Sequence, residues 1–469
     1  MADDKKRSSV PRLLLVLLPL LCRAAPAPAD WVPVRWPWSD AASLELIAGG
    51  PVNCLLLRTY SDELTAAAAR DGVVMLAVVA PGDDVAARTR AALDHKLTGV
   101  VLEGEFPDSD VAKVREIAGS APVAELTSRR RLRLGSGAPI LGTYQGVWPG
   151  VSALEQGGAK HSGPTASVWI DTNTGFIRAA RAWGDTPLWI ANQPPAGVVV
   201  TGSRYLQVIS DAAISGARWV VAFDSDFARR LHMREADAMS DWRRMSNLLA
   251  HFDRHPEWRR MQEYAKLAVV QDPGASALLS GGVLDMIAVK HTPVRPVPRE
   301  RLSSQALDGA LTTLNVDPSG MTTEQREILR AFARSGGTLL TGPPGWRDQA
   351  PKGASITLDK AELERLNDIW RDINGVIGRR NFGVRLFNVA TMLSNLLISP
   401  DGKTALLHLV NYSDYPVENV TAHFLGKWSR ATLIAPDREE ARVEVYSTEE
   451  GSGVDLAKVT VCATVKLEQ

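Results

Sequence analysis

Val73-Val74-Met75-Leu76-Ala77-Val78-Val79 is one of eight short apolar runs that recur between Val52 and Asp226. The others are Val52–Leu57, Val100–Glu105, Pro122–Leu126, Pro139–Tyr144, Ser167–Asp171, Leu188–Asn192 and Trp219–Asp224. All are too short for helices, and most are followed by a segment with helical spacing. That alternation predicts repeated βα units around a parallel sheet. Eight units in so short a stretch predict a compact (β/α)8 TIM barrel. An open doubly wound sheet would carry a glycine-rich phosphate turn after its first strand, and Leu57-Arg58-Thr59-Tyr60 offers none.

Around this stretch the texture changes twice. Residues 30–50, with Trp31, Trp36, Trp38 and several prolines, read as an extended arm lying on the barrel. After the long helical segment Met239–Tyr264 comes a smaller αβ layer, with strands at Lys266–Val270, Ala310–Val316 and Thr338–Thr341. Thr322–Ser335 is its amphipathic helix, capped by Thr322 or Thr323 and stopped by Gly336-Gly337. From Gly375 onward, β-like runs alternate with Asp-Gly, Ser-Asp and Gly-Ser-Gly turns, the pattern of a β-sandwich. The expected α/β architecture is a barrel over 30–264, a flavodoxin-like αβ layer over 265–374 and a C-terminal β-sandwich over 375–469.

The chain has 469 residues, with 53 basic and 53 acidic side chains, so no global field favours nucleic acid or an anionic membrane. At the N-terminus, Lys5, Lys6, Arg7 and Arg12 precede the apolar run Leu13–Cys22, and Ala25-Pro26-Ala27-Pro28-Ala29 follows it. This order predicts a secretory signal cleaved near Ala29, for a secreted or periplasmic protein. A lipoprotein anchor at Cys22 is disfavoured because Leu21 stands where a small residue belongs. Cys54 and Cys462 read as small buried residues rather than a disulfide framework. The eight histidines show no metal-ligand spacing, so neither metal nor other cofactor is expected.

Leu314-Asn315-Val316-Asp317-Pro318, then Met321-Thr322-Thr323-Glu324-Gln325, then Phe332–Gly337 leading into Thr338, form a strand, helix, Gly-Gly, strand passage. Leu406–Asn411 followed by Tyr412 is a second marker. In these motifs and in domain order the chain resembles the β-galactosidases that carry an amidotransferase-like trimerisation domain. The resemblance implies a carbohydrate-related role and association into a homo-oligomer through the αβ layer. It does not carry over the family's catalytic pair. Strand four ends Val123-Ala124-Glu125-Leu126 without the preceding asparagine, and strand seven ends Trp189-Ile190-Ala191-Asn192-Gln193 without a carboxylate.

Glycoside cleavage needs two carboxyl groups flanking one bond. The strand ends offer Glu103, Glu105, Glu125, Asp171, Asp224 and Asp226. Alternation predicts that Glu103 and Glu105 share a face with Val101, that Glu125 goes with Val123, and that Asp171 and Asp224 turn inward. By analogy with α-galactosidase-type barrels, Glu125 is the expected nucleophile and Asp171 the acid, with Glu103 and Asp224 as the reserve pair. Trp148, Trp169, Trp189 and Tyr144 could stack on sugar faces, and Asn173, Asn192 and Gln193 could bind hydroxyls. The first expectation is therefore an exported glycoside hydrolase-like enzyme. The rival is a catalytically inactive barrel that binds polysaccharide or serves as a structural subunit. A metal-dependent deacetylase lacks its histidine–aspartate cluster.

Overall fold

The computed structural model describes residues 26–135, 138–148, 152–163, 172–271, 290–316, 318–342 and 380–469, with single positions at 284, 287 and between 361 and 378. Eight parallel strands form the first sheet. They are β1 (Pro33–Trp36), β2 (Cys54–Leu57), β3 (Val74–Val79), β4 (Gly99–Glu103), β5 (Val123–Thr127), β6 (Leu141–Thr143), β7 (Leu188–Ile190) and β8 (Arg218–Trp219). A bridge between Val34 and Val221 joins the last strand to the first, and Arg35 N donates to Val221 O at 2.8 Å. The sheet thus comes round on itself as a TIM-type barrel.

Seven of these strands coincide with the expected runs, and one does not. The first strand is Pro33–Trp36, inside the stretch expected to be an arm. Proline is tolerated there because it occupies the first strand position, where its carbonyl still accepts from Val221. Among the described residues, β6 pairs directly with β7 through Leu141↔Leu188 and Thr143↔Ile190. Residues 164–171 themselves lie outside the described residues.

Alternation along the strands separates two apolar clusters. Leu56, Val78, Val101, Ala124, Leu126 and Trp189 are among those that fill the barrel. Leu55, Leu57, Val100, Leu102, Val123 and Trp219 face outward onto the helices. Those helices include α1 (Asp62–Arg70), α2 (Val85–Asp94), α3 (Asp108–Ala118), α4 (Thr174–Arg181), α5 (Gly202–Ile214), α6 (Ser225–His232) and α7 (Ala236–Asp253). After β6 the chain inserts a hairpin, Ser152–Gln156 with Ala159–Gly163, which Val198–Val199 extends to three strands.

Beyond the barrel, Leu267–Gln271, Arg295–Pro298, Thr312–Asn315 and Thr338–Thr341 form a small parallel sheet. Its helix α8 (Thr323–Arg334) starts with a reciprocal capping box between Thr322 and Gln325. Two antiparallel sheets of six and four strands complete the chain around a core that includes Leu407, Leu409, Phe424 and Val465. The barrel is held to them by buried polar contacts. Arg204 donates to Tyr412 O at 3.0 Å and Gln207 to Asn411 O at 3.1 Å. Arg178 donates to Asn395 Oδ1 at 2.6 Å. Cys54 and Cys462 are both buried and unpaired.

Candidate active site

The mouth of the barrel is built from the ends of β1 and β4 and from the loops after β5 and β6. On β1, Val34 and Trp36 pack outward with the helices, which turns Arg35 inward. On β4, Val101 lies in the interior cluster, so Glu103 points the same way. The two meet as a fork: Arg35 Nη2 donates to Glu103 Oε1 at 2.5 Å and Nη1 to Oε2. Both side chains are largely buried. A bidentate guanidinium–carboxylate pair is strong and geometrically specific, and here it ties two nearby strands together across the barrel end.

Gly104 comes next with φ +130°, and a Cβ there would come within 2.5 Å of the Pro81 ring. That turn, which only glycine fits, presents Glu105 to the loops beyond β5 and β6. Glu105 Oε1 accepts from Ser128 N at 2.8 Å and Tyr144 Oη at 3.1 Å, and Arg131 Nη1 reaches Oε2 at 3.2 Å. Burial opposes its charge, but the hydrogen bonds from Ser128, Tyr144 and Arg131 outweigh it and hold the carboxyl below the usual glutamate range. Tyr144 responds in the opposite sense. Burial and the Glu105 charge push its phenol up to about 12, so it stays a donor.

The remaining expected site residues divide sharply. Glu125 does not reach the mouth. Ala124 and Leu126 fill the interior, so Glu125 faces the helices and accepts from Arg115 on α3 at 2.6 Å. The expectation failed because it paired Glu125 with Val123 correctly but put that face inside. Asp224 is committed elsewhere too. It caps α6 through Asp226 N and Phe227 N, and Oδ2 accepts from Tyr205 Oη at 2.8 Å. Asp171 and Trp169 lie outside the described residues.

Two of the three described aromatic candidates are buried. Trp189 is wholly buried among the interior side chains. Trp148 is buried edge-on against Tyr205 and Trp219, with its indole N–H on Gln193 O at 2.9 Å. Among the described rings of that set, Tyr144 stays half-exposed at the mouth. Asn192 donates to Gly146 O at 2.6 Å, and the Gln193 side chain is exposed. Asn173 is fully buried and serves the loops. It accepts from Arg129 Nη2 and Val147 N, each at 2.8 Å, and donates to Asp211 Oδ2 at 2.8 Å. Asp211 in turn accepts from Tyr412 Oη at 2.5 Å, so a buried chain of polar groups runs from the mouth loops to the C-terminal sheets.

Arg35 and Arg131 were missed in the sequence. The alternation Val34-Arg35-Trp36 is the signal that could have identified Arg35. Glu105 shared a face with Glu103 in the reading of β4 but was not ranked among the working carboxylates. Among the described residues no group of three or more histidine, cysteine or carboxylate side chains could hold a metal.

No protein-family model and no curated protein matches this chain. Solved structures do. An α-L-fucosidase, isoenzyme 2 from Paenibacillus thiaminolyticus, superposes with a TM-score of 0.61 at 11% identity, over 94% of this chain and 99% of that one. A GH42 β-galactosidase from G. stearothermophilus gives 0.51 at 9% identity, over 94% and 98%. A cold-adapted β-galactosidase from a Rahnella species gives 0.51 at 8%, over 91% and 95%. The chain is built like these glycosidases. At such identities the likeness is one of fold and carries no residue roles.

Proposed function

We propose that this protein acts on carbohydrate at the C-terminal mouth of its barrel, as a glycoside hydrolase-like enzyme whose ionised carboxylate is Glu105. The observation that carries this is the set of donors around Glu105. A nucleophile or water-activating base must be charged at working pH, and Ser128, Tyr144 and Arg131 favour the charged form. Glu103, neutralised by Arg35, shapes the floor beside it. The partner acid is assigned to Asp171, which stands two residues before Asn173 in the chain, and Asn173 accepts from Arg129 and Val147 of the loops after β5 and β6.

A second reading has its own support. Arg35 and Arg131 neutralise the two glutamates of the mouth, which suits a barrel that binds sugar without cleaving it. Release of nitrophenol from a panel of nitrophenyl glycosides, with α-L-fucoside and β-D-galactoside included, separates the two. Hydrolysis by the wild type that Glu105→Gln abolishes, with binding of the same glycoside retained, supports the enzyme. Binding without hydrolysis in the wild type supports the rival. We also propose export, with residues 1–29 as the cleaved signal; removal near Ala29 leaves β1 intact because it starts at Pro33. N-terminal sequencing of extracytoplasmic material that still carried Lys5 or Arg12 would argue against it.

A further inference from the structure

The four-stranded C-terminal sheet has an outer face that the barrel chemistry does not use. Its strands, in spatial order, are Val384–Phe387, Val417–Leu425, Gly451–Val459 and Tyr446–Ser447. Val384, Ala422, Phe424 and Val454 turn into the core between the two C-terminal sheets. Alternation therefore turns Phe387, Thr421, His423, Gly453 and Asp455 to the opposite face. Strand register sets His423, Gly453 and Tyr446 in one row, with Phe387, Thr421 and Asp455 in the row beside it.

The solvent side of such a sheet is ordinarily polar, and this one carries three rings in contact. Phe387 is 47% exposed, and its ring centroid lies 5.0 Å from that of His423. His423 in turn lies 6.1 Å from Tyr446. Tyr446 rests on a glycine, since a Cβ at Gly453 would come within 2.3 Å of the ring. One face of the phenol is thus spent on the sheet, and the other is turned outward. Its hydroxyl donates to Asp455 Oδ1 at 3.1 Å, and Thr421 Oγ1 donates to the same oxygen at 2.6 Å. Asp455 is exposed, and among the described residues no cation pairs with it and no group donates to its Oδ2.

Rings interleaved with a hydroxyl and an open carboxylate oxygen suit a ligand that is apolar on its faces and hydroxylated at its edge. A pyranose has that shape. The core of a protein–protein interface is depleted of charge, whereas here Asp455 stands among the rings. Its negative charge also disfavours a chain that carries uronate or sulfate. We propose that this face binds a neutral polysaccharide, with Phe387 and Tyr446 stacking on its sugar rings and Asp455 Oδ2 accepting from a hydroxyl. The choice of a sugar chain rests on the carbohydrate reading of the barrel mouth, but the face shares no residue with that site.

The test is native electrophoresis of the full-length protein through gels containing galactan, xylan or galactomannan, beside polygalacturonate and polymer-free gels. The expected result is retardation by at least one neutral polysaccharide and none by polygalacturonate. Phe387→Ala, at an exposed position, should weaken the affinity read from retardation about fivefold, the loss of one stacking contact, and Tyr446→Ala should do the same. Nitrophenyl glycoside hydrolysis, measured on the same samples, separates this inference from the reading of the mouth. Retardation of a wild type that cleaves no glycoside would refute the enzyme and support the binding face. Cleavage without retardation by any of the three neutral chains would overturn the face and leave the enzyme. Equal retardation by polygalacturonate, or wild-type retardation of both variants, would also overturn it. So would sedimentation of the wild type as an oligomer that Phe387→Ala turns into a monomer, because a second copy would then cover the face.

Discussion

At the scale of single residues, Glu105 and Glu103 differ in their surroundings. Glu105 has a depressed pKa in the folded protein, so its charged form persists below the ordinary glutamate value of about 4.3. The stability it contributes is present above that value and is lost as pH falls through the lower, folded one. If Glu105 is the working base, the acidic limb of kcat/KM lies below pH ~4.3. Tyr144→Phe removes one donor and should shift that limb upward; an unmoved limb would mean that another group controls it. Glu103 depends on Arg35 instead. Arg35→Met strands a largely buried carboxylate and should cost about 3 kcal/mol in urea unfolding.

At the scale of elements, Asp224 is a helix cap. Asp224→Ala should cost about 1 to 2 kcal/mol of stability while turnover per folded molecule is unchanged. A loss of turnover without destabilisation would return Asp224 to the list of catalytic candidates. The same residue shows why the site was less legible than the fold. Apolar runs at β2, β3 and β4 announce strands because burial on both faces demands continuous aliphatic side chains. Helix α8 was legible through its cap and its Gly-Gly stop. Pro33–Trp36 was hidden because two residues of four are proline or arginine, and its pairing with β8 is set by closure of the whole barrel. For Glu125 the face was the hidden variable. Alternation fixes which residues share a side, but which side is the core depends on neighbouring strands and helices that the local sequence does not contain.

At the scale of the molecule, barrel and C-terminal sheets share a polar interface through Arg178, Arg204, Gln207 and the Asp211–Tyr412 contact. Near it sit imidazoles kept neutral by burial. His251 is lowered to about 4 and His408 to about 3, and both ring systems contact Trp258. Unfolding frees them to bind protons at about pH 6.5 and below. Their contribution is therefore fully present above that value and declines as pH falls toward 4 and then 3. Melting temperature should drop between about pH 6.5 and about pH 4.5, and His408→Gln should flatten the slope. A slope identical to wild type in that variant would exclude His408 as a source.

The most direct test of the account is chemical rescue of Glu105→Ala by azide, monitored on the nitrophenyl glycoside that the wild type cleaves best. Azide can take the place of a missing nucleophile or activated water, so the account predicts a nearly inactive variant, restored turnover with rising azide, and a glycosyl azide product. Glu125→Ala in parallel should keep wild-type turnover without azide. Full activity of Glu105→Ala in the absence of azide would contradict the assignment.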